Sequence, residues 1–501
     1  MHVKMKKNVC TRLICLCLTL SVFAGCLAAC NGNNADVEST TAESTSQNPD
    51  IVSDTLDEAE AALNAISSDD VDWGGKELTF LYSVYNTDNP TELISEEKTG
   101  DVLPDAVCER NVKFEDRCNL TLSFSPTDSE DDAFAKAQRE VQGSVGDAQY
   151  FTLDHKTTAA LAVEGYLYNF LDLNIDLEKD WWDEGTYSFN MEDHVFFMNG
   201  SWNYSDDRLT WCMLFNKSAY ALQAYQGEDA DLYQLVLDGK WTVDKFNNLI
   251  QNFSSNNGDG RWDEEDSYGF VATPHYSNAF FFGADLRYVN MHEDGYPTLA
   301  LSDDSGMMER AAEMVEKVVS IYTANHATYR AAEFQVSYEM FKANQALFYG
   351  EIVSFVINCN KAYEGQFGVL PVPKYDEAQE KYCTYVTPFA CTLSLPVNVQ
   401  GTDKLGDITQ TYAILSDQLV FPVFYEVVLT TKSVKDEQSV KMLDLILGNR
   451  VYDISNYFEN LGMAGLFERS AENGNNNFSR DYASVKRGFS KQVRKLFDKL
   501  D

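Results

Sequence analysis

Basic residues are scarce in this 501-residue sequence. Only 39 Lys and Arg stand against 78 Asp and Glu, a formal charge of −39. No basic excess is available to neutralise phosphates, so nucleic-acid binding is excluded as a function class. Histidine is rarer still, six residues and all of them separated, which argues against a histidine-rich metal centre. The chain contains no GxSxG, HExxH, phosphate loop or GxGxxG. It has no Cys-x-x-Cys pair and no internal repeat, so a zinc module and a repeat-built adhesin both lose their usual signature. With 11 Pro and 28 Gly it is neither fibrous nor of low complexity. What it does have is aromatic bulk. The 30 Phe, 27 Tyr and 7 Trp supply core enough for two or three domain-sized units and exclude overall disorder.

The N-terminus carries Lys4, Lys6, Lys7 and Arg12, then an apolar run over 13–29 and a polar Ser/Thr/Asn tract. A basic start, a short apolar centre and small residues at its end read as a bacterial secretory signal. A membrane span is usually longer and flanked by charge. Leu27-Ala28-Ala29-Cys30 resembles the lipobox of bacterial lipoproteins, which implies that residues 1–29 are removed and that Cys30 carries the lipid. Phe23-Ala24-Gly25-Cys26 is a second, bulkier candidate, and a plain signal peptide is the plainer alternative. Removing 1–29 takes four basic residues and no acid, so 39 − 4 = 35 bases face 78 acids, a net of −43. Cys108, Cys118, Cys212, Cys359, Cys383 and Cys391 then remain besides Cys30. Their spacing names no pairing, and they read as buried small apolar residues. Residues 30–75 form the lipidated end and a flexible tether, with a short helix at 57–66.

Beyond Lys76, strands at 77–85, 120–124 and 149–153 alternate with helices at 105–118, 131–142 and 158–164. That alternation predicts an α/β half with a mostly parallel sheet. Strand-like runs follow at 195–198, 209–215, 346–349, 367–371 and 390–395. Helices are expected at 231–237, at 242–253 with Thr242 as N-cap, and at 308–322, 338–344, 407–427, 436–447 and 481–498.

The order of these pieces resembles the extracellular solute-binding proteins of ABC importers, the maltose-binding-protein type, over most of 76–501. The segments that carry the resemblance are Leu214-Phe-Asn-Lys217, Gly239-Lys-Trp-Thr-Val-Asp244 and Asp266-Ser-Tyr-Gly-Phe270. Ala346-Leu-Phe-Tyr-Gly350 and Phe367-Gly-Val-Leu-Pro-Val-Pro373 complete the series. The resemblance implies an α/β, two-lobed periplasmic-binding-protein-like (type II) fold with an interlobe cleft and extra C-terminal helices. Lobe one would be 76–186 plus 384–432, and lobe two 187–373 plus 433–501. It further implies a monomer that takes a carbohydrate ligand, of oligosaccharide size, and passes it to ABC permease subunits. The chain would be lipid-anchored on the extracellular face of the membrane in a Gram-positive-type envelope.

Sugars show C–H faces to aromatic rings and hydroxyl rims to carboxylates and amides. The ligand-site candidates are therefore aromatic and polar residues at strand ends: Tyr82, Tyr85 and Asn86; Asp154 and His155; Trp181 and Trp182; Trp202 and Tyr204; His275 and Tyr276; Tyr349 and Glu351. The plainer reading of any one aromatic is core packing. Asp154 stands out because a charge ending a strand has little other use there. Trp181 and Trp182 are neighbours, so in an extended segment only one would face a cleft.

The stretch from Ser255 to Asp266 resembles an EF-hand calcium loop, with Asn257, Asp259, Arg261 through its carbonyl, Asp263 and Asp266 at alternating positions and Glu264 adjoining. Ser255 stands where Asp is usual and Asp266 where Glu is usual. The alternative, a Gly/Asn turn with acidic caps, stays open beside a structural calcium. No cofactor for catalysis is implied, and the chain is not expected to be an enzyme. The alternative functions are a secreted glycoside hydrolase, which would need an ordered carboxylate pair, and a non-transport glycan-binding surface protein. The sequence leaves a peptide or polyamine ligand open.

Overall fold

Strand pairing gives two five-stranded sheets and two small two-stranded ones among the described residues. The computed structural model describes residues 50–83, 92–127, 129–143, 147–183, 191, 193–292, 295–301, 306–324, 326–362, 365–433, 436–474 and 476–500. The described chain divides into two units, one ending at Asp70 and one beginning at Val71. In the first, a helix α1 spans Asp50–Ala65, longer than the helix expected at 57–66. The signal segment and Cys30 lie outside the described residues.

In the second unit the elements follow the chain. They begin with β1 (Lys76–Tyr82), α2 (Val102–Cys118), β2 (Leu120–Pro126), α3 (Glu130–Gln142), β3 (Ala148–Asp154), α4 (His155–Val163), β4 (Phe197–Met198) and β5 (Trp211–Asn216). Next come α5 (Val243–Ile250), β6 (Tyr268–Ala272), α6 (Tyr276–Gly283), α7 (Met307–Thr323), β7 (Thr328–Arg330), α8 (Phe334–Lys342), β8 (Ala346–Ile352), α9 (Val353–Ala362) and β9 (Phe367–Leu370). The chain ends with β10 (Thr384–Tyr385), β11 (Cys391–Ser394), α10 (Thr402–Leu419), α11 (Glu437–Leu447), β12 (Arg450–Val451), α12 (Leu466–Glu472) and α13 (Phe478–Leu500). Side-chain caps start several helices where the sequence placed them. Thr242 accepts from Lys245 N at 3.3 Å, and Asp436 accepts from Ser439 N at 3.0 Å.

The first sheet has the order β2-β1-β3-β11-β4. Its first three strands are parallel, β11 runs antiparallel to β3, and β4 is antiparallel to β11 and so runs in the direction of the first three. The inner strand β1, between β2 and β3, is covered on both faces and buries the four consecutive residues Leu78 to Leu81. The second sheet has the order β9-β5-β8-β6-β7, with β8 antiparallel to β5 and parallel to β6.

Two lobe assignments differ from expectation. Phe197–Met198 falls within 187–373 yet pairs with β11 in the first sheet, so the chain crosses to the second sheet between Met198 and Trp211. The C-terminal part is not confined to lobe two either. Helix α11 packs beside β9 of the second sheet, but α13 lies against both α4 of the first lobe and α7 of the second.

The expected helix at 407–427 starts at Thr402 and passes into a π-helix over Val423–Ser433. By length and composition, Thr402–Thr430 could cross a membrane. Its polar residues are instead used inside the first lobe. Ser416 accepts from the buried Arg110 at 2.6 Å, and Thr409 shares a 2.7 Å hydrogen bond with Tyr150.

Candidate functional site

The site is built where the first lobe's strand ends meet the crossing. Asp154 closes β3 and is 2% exposed. Its Oδ1 accepts from Thr157 N at 3.0 Å and so caps α4, while its Oδ2 is buried without a hydrogen-bond partner among the described residues. A capped helix start explains one of its oxygens and leaves the other to be accounted for. His155 is fully buried next to it. Burial pushes its pKa down to about 3, so the ring is neutral at physiological pH.

The crossing folds back on itself beside these two residues. Trp182 pairs with Gly200, Ser201 N donates to Trp181 O at 2.8 Å, and Asp183 N donates to Asn199 O at 3.1 Å. Asn199 in turn stands 3.5 Å from His155 Nε2. This close approach requires glycine at 200. A Cβ there would sit 2.4 Å from the Trp181 carbonyl oxygen. The folding buries Trp181, Trp182 and Trp202, and none of their three indole N–H groups has an acceptor among the described residues. Tyr204 is buried as well, stacked on Phe424 with ring centroids 4.2 Å apart.

Residues that the sequence did not single out complete the site. Arg450, on β12, places Nη2 2.5 Å from Asp183 Oδ2 and Nη1 3.1 Å from Asp206 Oδ2, and it also bonds Asp207. Burial opposes its charge, but Asp183 and Asp207 above all hold it protonated. Burial also raises the Asp206 carboxyl, against the pull of Arg450. Tyr452 donates to Asp206 Oδ2 at 2.8 Å. Tyr457 stacks on His155 at 4.5 Å and 18°. These residues lie in an irregular stretch after α11, without periodicity. One available signal was an Arg and two Tyr in a segment otherwise read as a connection. Asp206-Asp207, directly after Trp202 and Tyr204, was a second visible hint.

The other candidates are placed elsewhere. Tyr82 ends β1 half-buried, and Tyr85 and Asn86 lie outside the described residues. His275 is at the surface, with Nδ1 2.8 Å from Glu468 Oε1, and that hydrogen bond raises its pKa. Tyr276 is fully buried in the second lobe and donates to Cys212 O at 3.1 Å. Tyr349 and Glu351 are fully buried on β8, where Tyr349 OH reaches Glu351 Oε2 at 3.4 Å. Burial raises the Glu351 carboxyl to about 8. The structure therefore brings the segments of Trp181–Trp182 and Trp202 together beside Asn199 and His155, and puts Tyr276, Tyr349 and Glu351 inside the second lobe's core.

The calcium-like loop is closed by its own hydrogen bonds. Buried Asp266 accepts from Asn257 N at 2.8 Å and from Asp263 N at 3.0 Å. Asp259 accepts from Arg261 N at 2.7 Å, Asp263 accepts from Glu265 N at 3.0 Å, and the Asn256 amide covers the Arg261 carbonyl. Glu264 points away, to Tyr329 OH at 3.3 Å. The donor set does not fit a calcium ion in this arrangement. Among the described residues no group of three or more His, Cys, Asp or Glu is placed to hold a metal.

No protein-family model matches this sequence, and no curated protein matches it. Solved structures do match. The GacH receptor of Streptomyces glaucescens GLA.O, solved unliganded and with acarbose and an acarbose homolog, matches with a TM-score of 0.53 and 14% identity. The match covers 84% of this chain and 99% of that one. Maltose/maltodextrin-binding MalE from Bdellovibrio bacteriovorus, bound to maltotriose, gives 0.53 and 12% over 83% of this chain and 100% of that one. The chain has the maltose-binding-protein-like fold. The galacto-N-biose-/lacto-N-biose I-binding protein of the ABC transporter from Bifidobacterium longum, in complex with lacto-N-biose, fits the same frame. Its TM-score is 0.54 at 11% identity, over 84% of this chain and 99% of that one. In a maltose-binding-protein-like fold the two sheets are the two lobes, and the chain passes from the first to the second between Met198 and Trp211.

Proposed function

We propose that this protein is an extracellular solute-binding protein that captures a carbohydrate at the lobe crossing and delivers it to an ABC importer. On this reading it is held at the outer face of the membrane by a lipid on Cys30 and has no enzymatic turnover. One observation carries the ligand class. A buried carboxylate oxygen on Asp154 and three buried indole N–H groups, on Trp181, Trp182 and Trp202, lack partners among the described residues, and Asn199, paired with the Trp181–Asp183 run, stands against His155 beside Asp154. A ligand that both donates and accepts hydrogen bonds and has apolar faces answers that set, and a sugar does all three. The fold, shared with proteins solved around maltotriose, acarbose and lacto-N-biose, supports the reading.

The test is a thermal-shift panel of maltotriose, cellotriose, xylotriose, N-acetylchitotriose and lacto-N-biose on the exported chain, run beside an aryl-glycoside activity screen. The expected result is a rise in melting temperature with one of the sugars and no turnover. Turnover of a glycoside would replace the binder with an enzyme. Silence across an enlarged panel that includes peptides and polyamines would remove the binding reading.

A further inference from the structure

The stretch from Arg450 to Leu461 lies between the lobes and touches both. On the side of the first lobe, Tyr457 stacks on His155, Phe458 packs on Phe197 with ring centroids 6.2 Å apart, and Glu459 reaches Lys156 at 3.5 Å. On the side of the second, Asp453 Oδ2 accepts from Tyr288 N at 2.7 Å and from Val289 N at 3.3 Å. At its start, Arg450 is held by Asp183, Asp206 and Asp207, which flank the tryptophans of the crossing. Tyr452 bonds Asp206 and lies with its ring 6.2 Å from that of His155.

We infer that Arg450–Leu461 is a third wall of the interlobe site, and that Arg450 is the positioning residue that seats it. The charges explain why one side chain can do this. Two buried carboxylates, Asp206 and Asp207, and the part-buried Asp183 converge on a single guanidinium, whose planar fork can bond several of them at once. Removing it leaves three negative charges facing each other in a buried place, which forces the segment and the crossing apart. Lysine keeps the charge and loses the fork, so it restores the seat only in part. Tyr457 is carried by the seated segment, and its ring marks whether the wall is in place. The role in ligand capture rests on the proposed function, but the seating does not.

Two measurements on the full exported chain test the seating without any ligand. The first is the NMR position of the His155 ring protons, shifted upfield by the Tyr457 ring in the unaltered protein. Tyr457→Leu identifies that shift by removing it, with the ion cluster intact. Arg450→Ala is expected to abolish the shift and Arg450→Lys to restore part of it. The second is the radius of gyration from small-angle scattering, expected to rise in Arg450→Ala and less in Arg450→Lys. If Arg450→Ala does not fold, the partial upfield shift in Arg450→Lys decides. A His155 signal identical in the unaltered protein and Tyr457→Leu would overturn the wall. A shift fully kept in Arg450→Ala or in Arg450→Lys, with an unchanged radius, would overturn the role of Arg450. Failure of the sugar panel alone would leave both standing and remove only the carbohydrate reading.

Discussion

Two clusters in this molecule look alike as sequence and differ in how their polar atoms are satisfied. At the crossing, Asp154 and His155 adjoin Asn199, whose segment pairs with that of Trp181 and Trp182 and leads into Trp202. Inside the second lobe, Glu351 meets Tyr349 and Tyr276. Both combine a carboxylate with large rings, and both are buried. In the second lobe each polar end has found a partner. Tyr276 OH donates to Cys212 O, Tyr349 OH reaches Glu351, and Glu351 Oε1 accepts from Ile352 N at 2.9 Å. At the crossing the indole N–H groups and one oxygen of Asp154 have none among the described residues. A burial value separates neither cluster from a core. The hydrogen-bond accounting does, because a buried polar group without a partner costs stability that a structural role does not return.

The comparison is broken most severely by removing the close approach that builds the crossing. Gly200→Ala places a Cβ 2.4 Å from the Trp181 carbonyl oxygen and 3.1 Å from Trp182 Cα, both backbone atoms. The expected loss is about 3 kcal/mol of folding stability, since backbone cannot move aside as a side chain can. Urea denaturation measures it. A midpoint equal to that of the unaltered protein would mean that the two runs of the crossing are not in contact.

Most of the frame was legible in the sequence, and the reasons are local. The first-lobe strands, the helices between them, the cap at Thr242 and the helix starting at 436 follow from periodicity and short-range hydrogen bonding, which a sequence displays directly. What escaped has a nonlocal cause. The strand at 195–198 was readable but its sheet was not, because only its partner Cys391–Ser394, nearly 200 residues on, places Phe197–Met198 in the first lobe. Helix α6, with Phe280, Phe281 and Phe282 in one run, is buried all round and so lacks an amphipathic stripe. The site was half legible. Asp154 was readable as a charge ending a strand. Arg450, Tyr452 and Tyr457 were not, because nothing in their own segment says that it returns to a crossing more than 240 residues earlier. Tyr349 and Glu351 shared the crossing's composition, and only their internal hydrogen bonds reveal the difference.

A second prediction sharpens the satisfied side of the comparison. Burial raises Glu351 from the ordinary 4.5 to about 8. An acid with a raised folded pKa keeps its proton in the folded state while the unfolded chain gives it up. Its contribution is therefore fully present below about pH 4.5 and is lost as pH rises toward 8. Glu351→Gln removes that loss and keeps an oxygen for Ile352 N. It is expected to stabilise the protein by about 1–2 kcal/mol at pH 8 and to change little at pH 4. Denaturation at the two pH values compares them. An equal effect at both would show that Glu351 is not held protonated.

The orphaned side is tested at Asp154, and the substitution has to separate its two oxygens. Alanine would remove the α4 cap along with the unpartnered oxygen, at about 1 kcal/mol for the cap alone. Asp154→Asn keeps an oxygen in the capping position for Thr157 N and puts an amide where Oδ2 stood. If Oδ2 meets the ligand, a charge-assisted acceptor becomes a neutral donor at that one point. Titration calorimetry with the best sugar from the panel should then show affinity lower by roughly tenfold, or about 1.4 kcal/mol. The melting temperature without sugar should move little, because the cap and the volume are preserved. Unchanged affinity would put the ligand elsewhere and reduce Asp154 to a helix cap. A large fall in unliganded stability would show that the second oxygen has a structural partner, which would make the crossing the same kind of cluster as Tyr349 and Glu351.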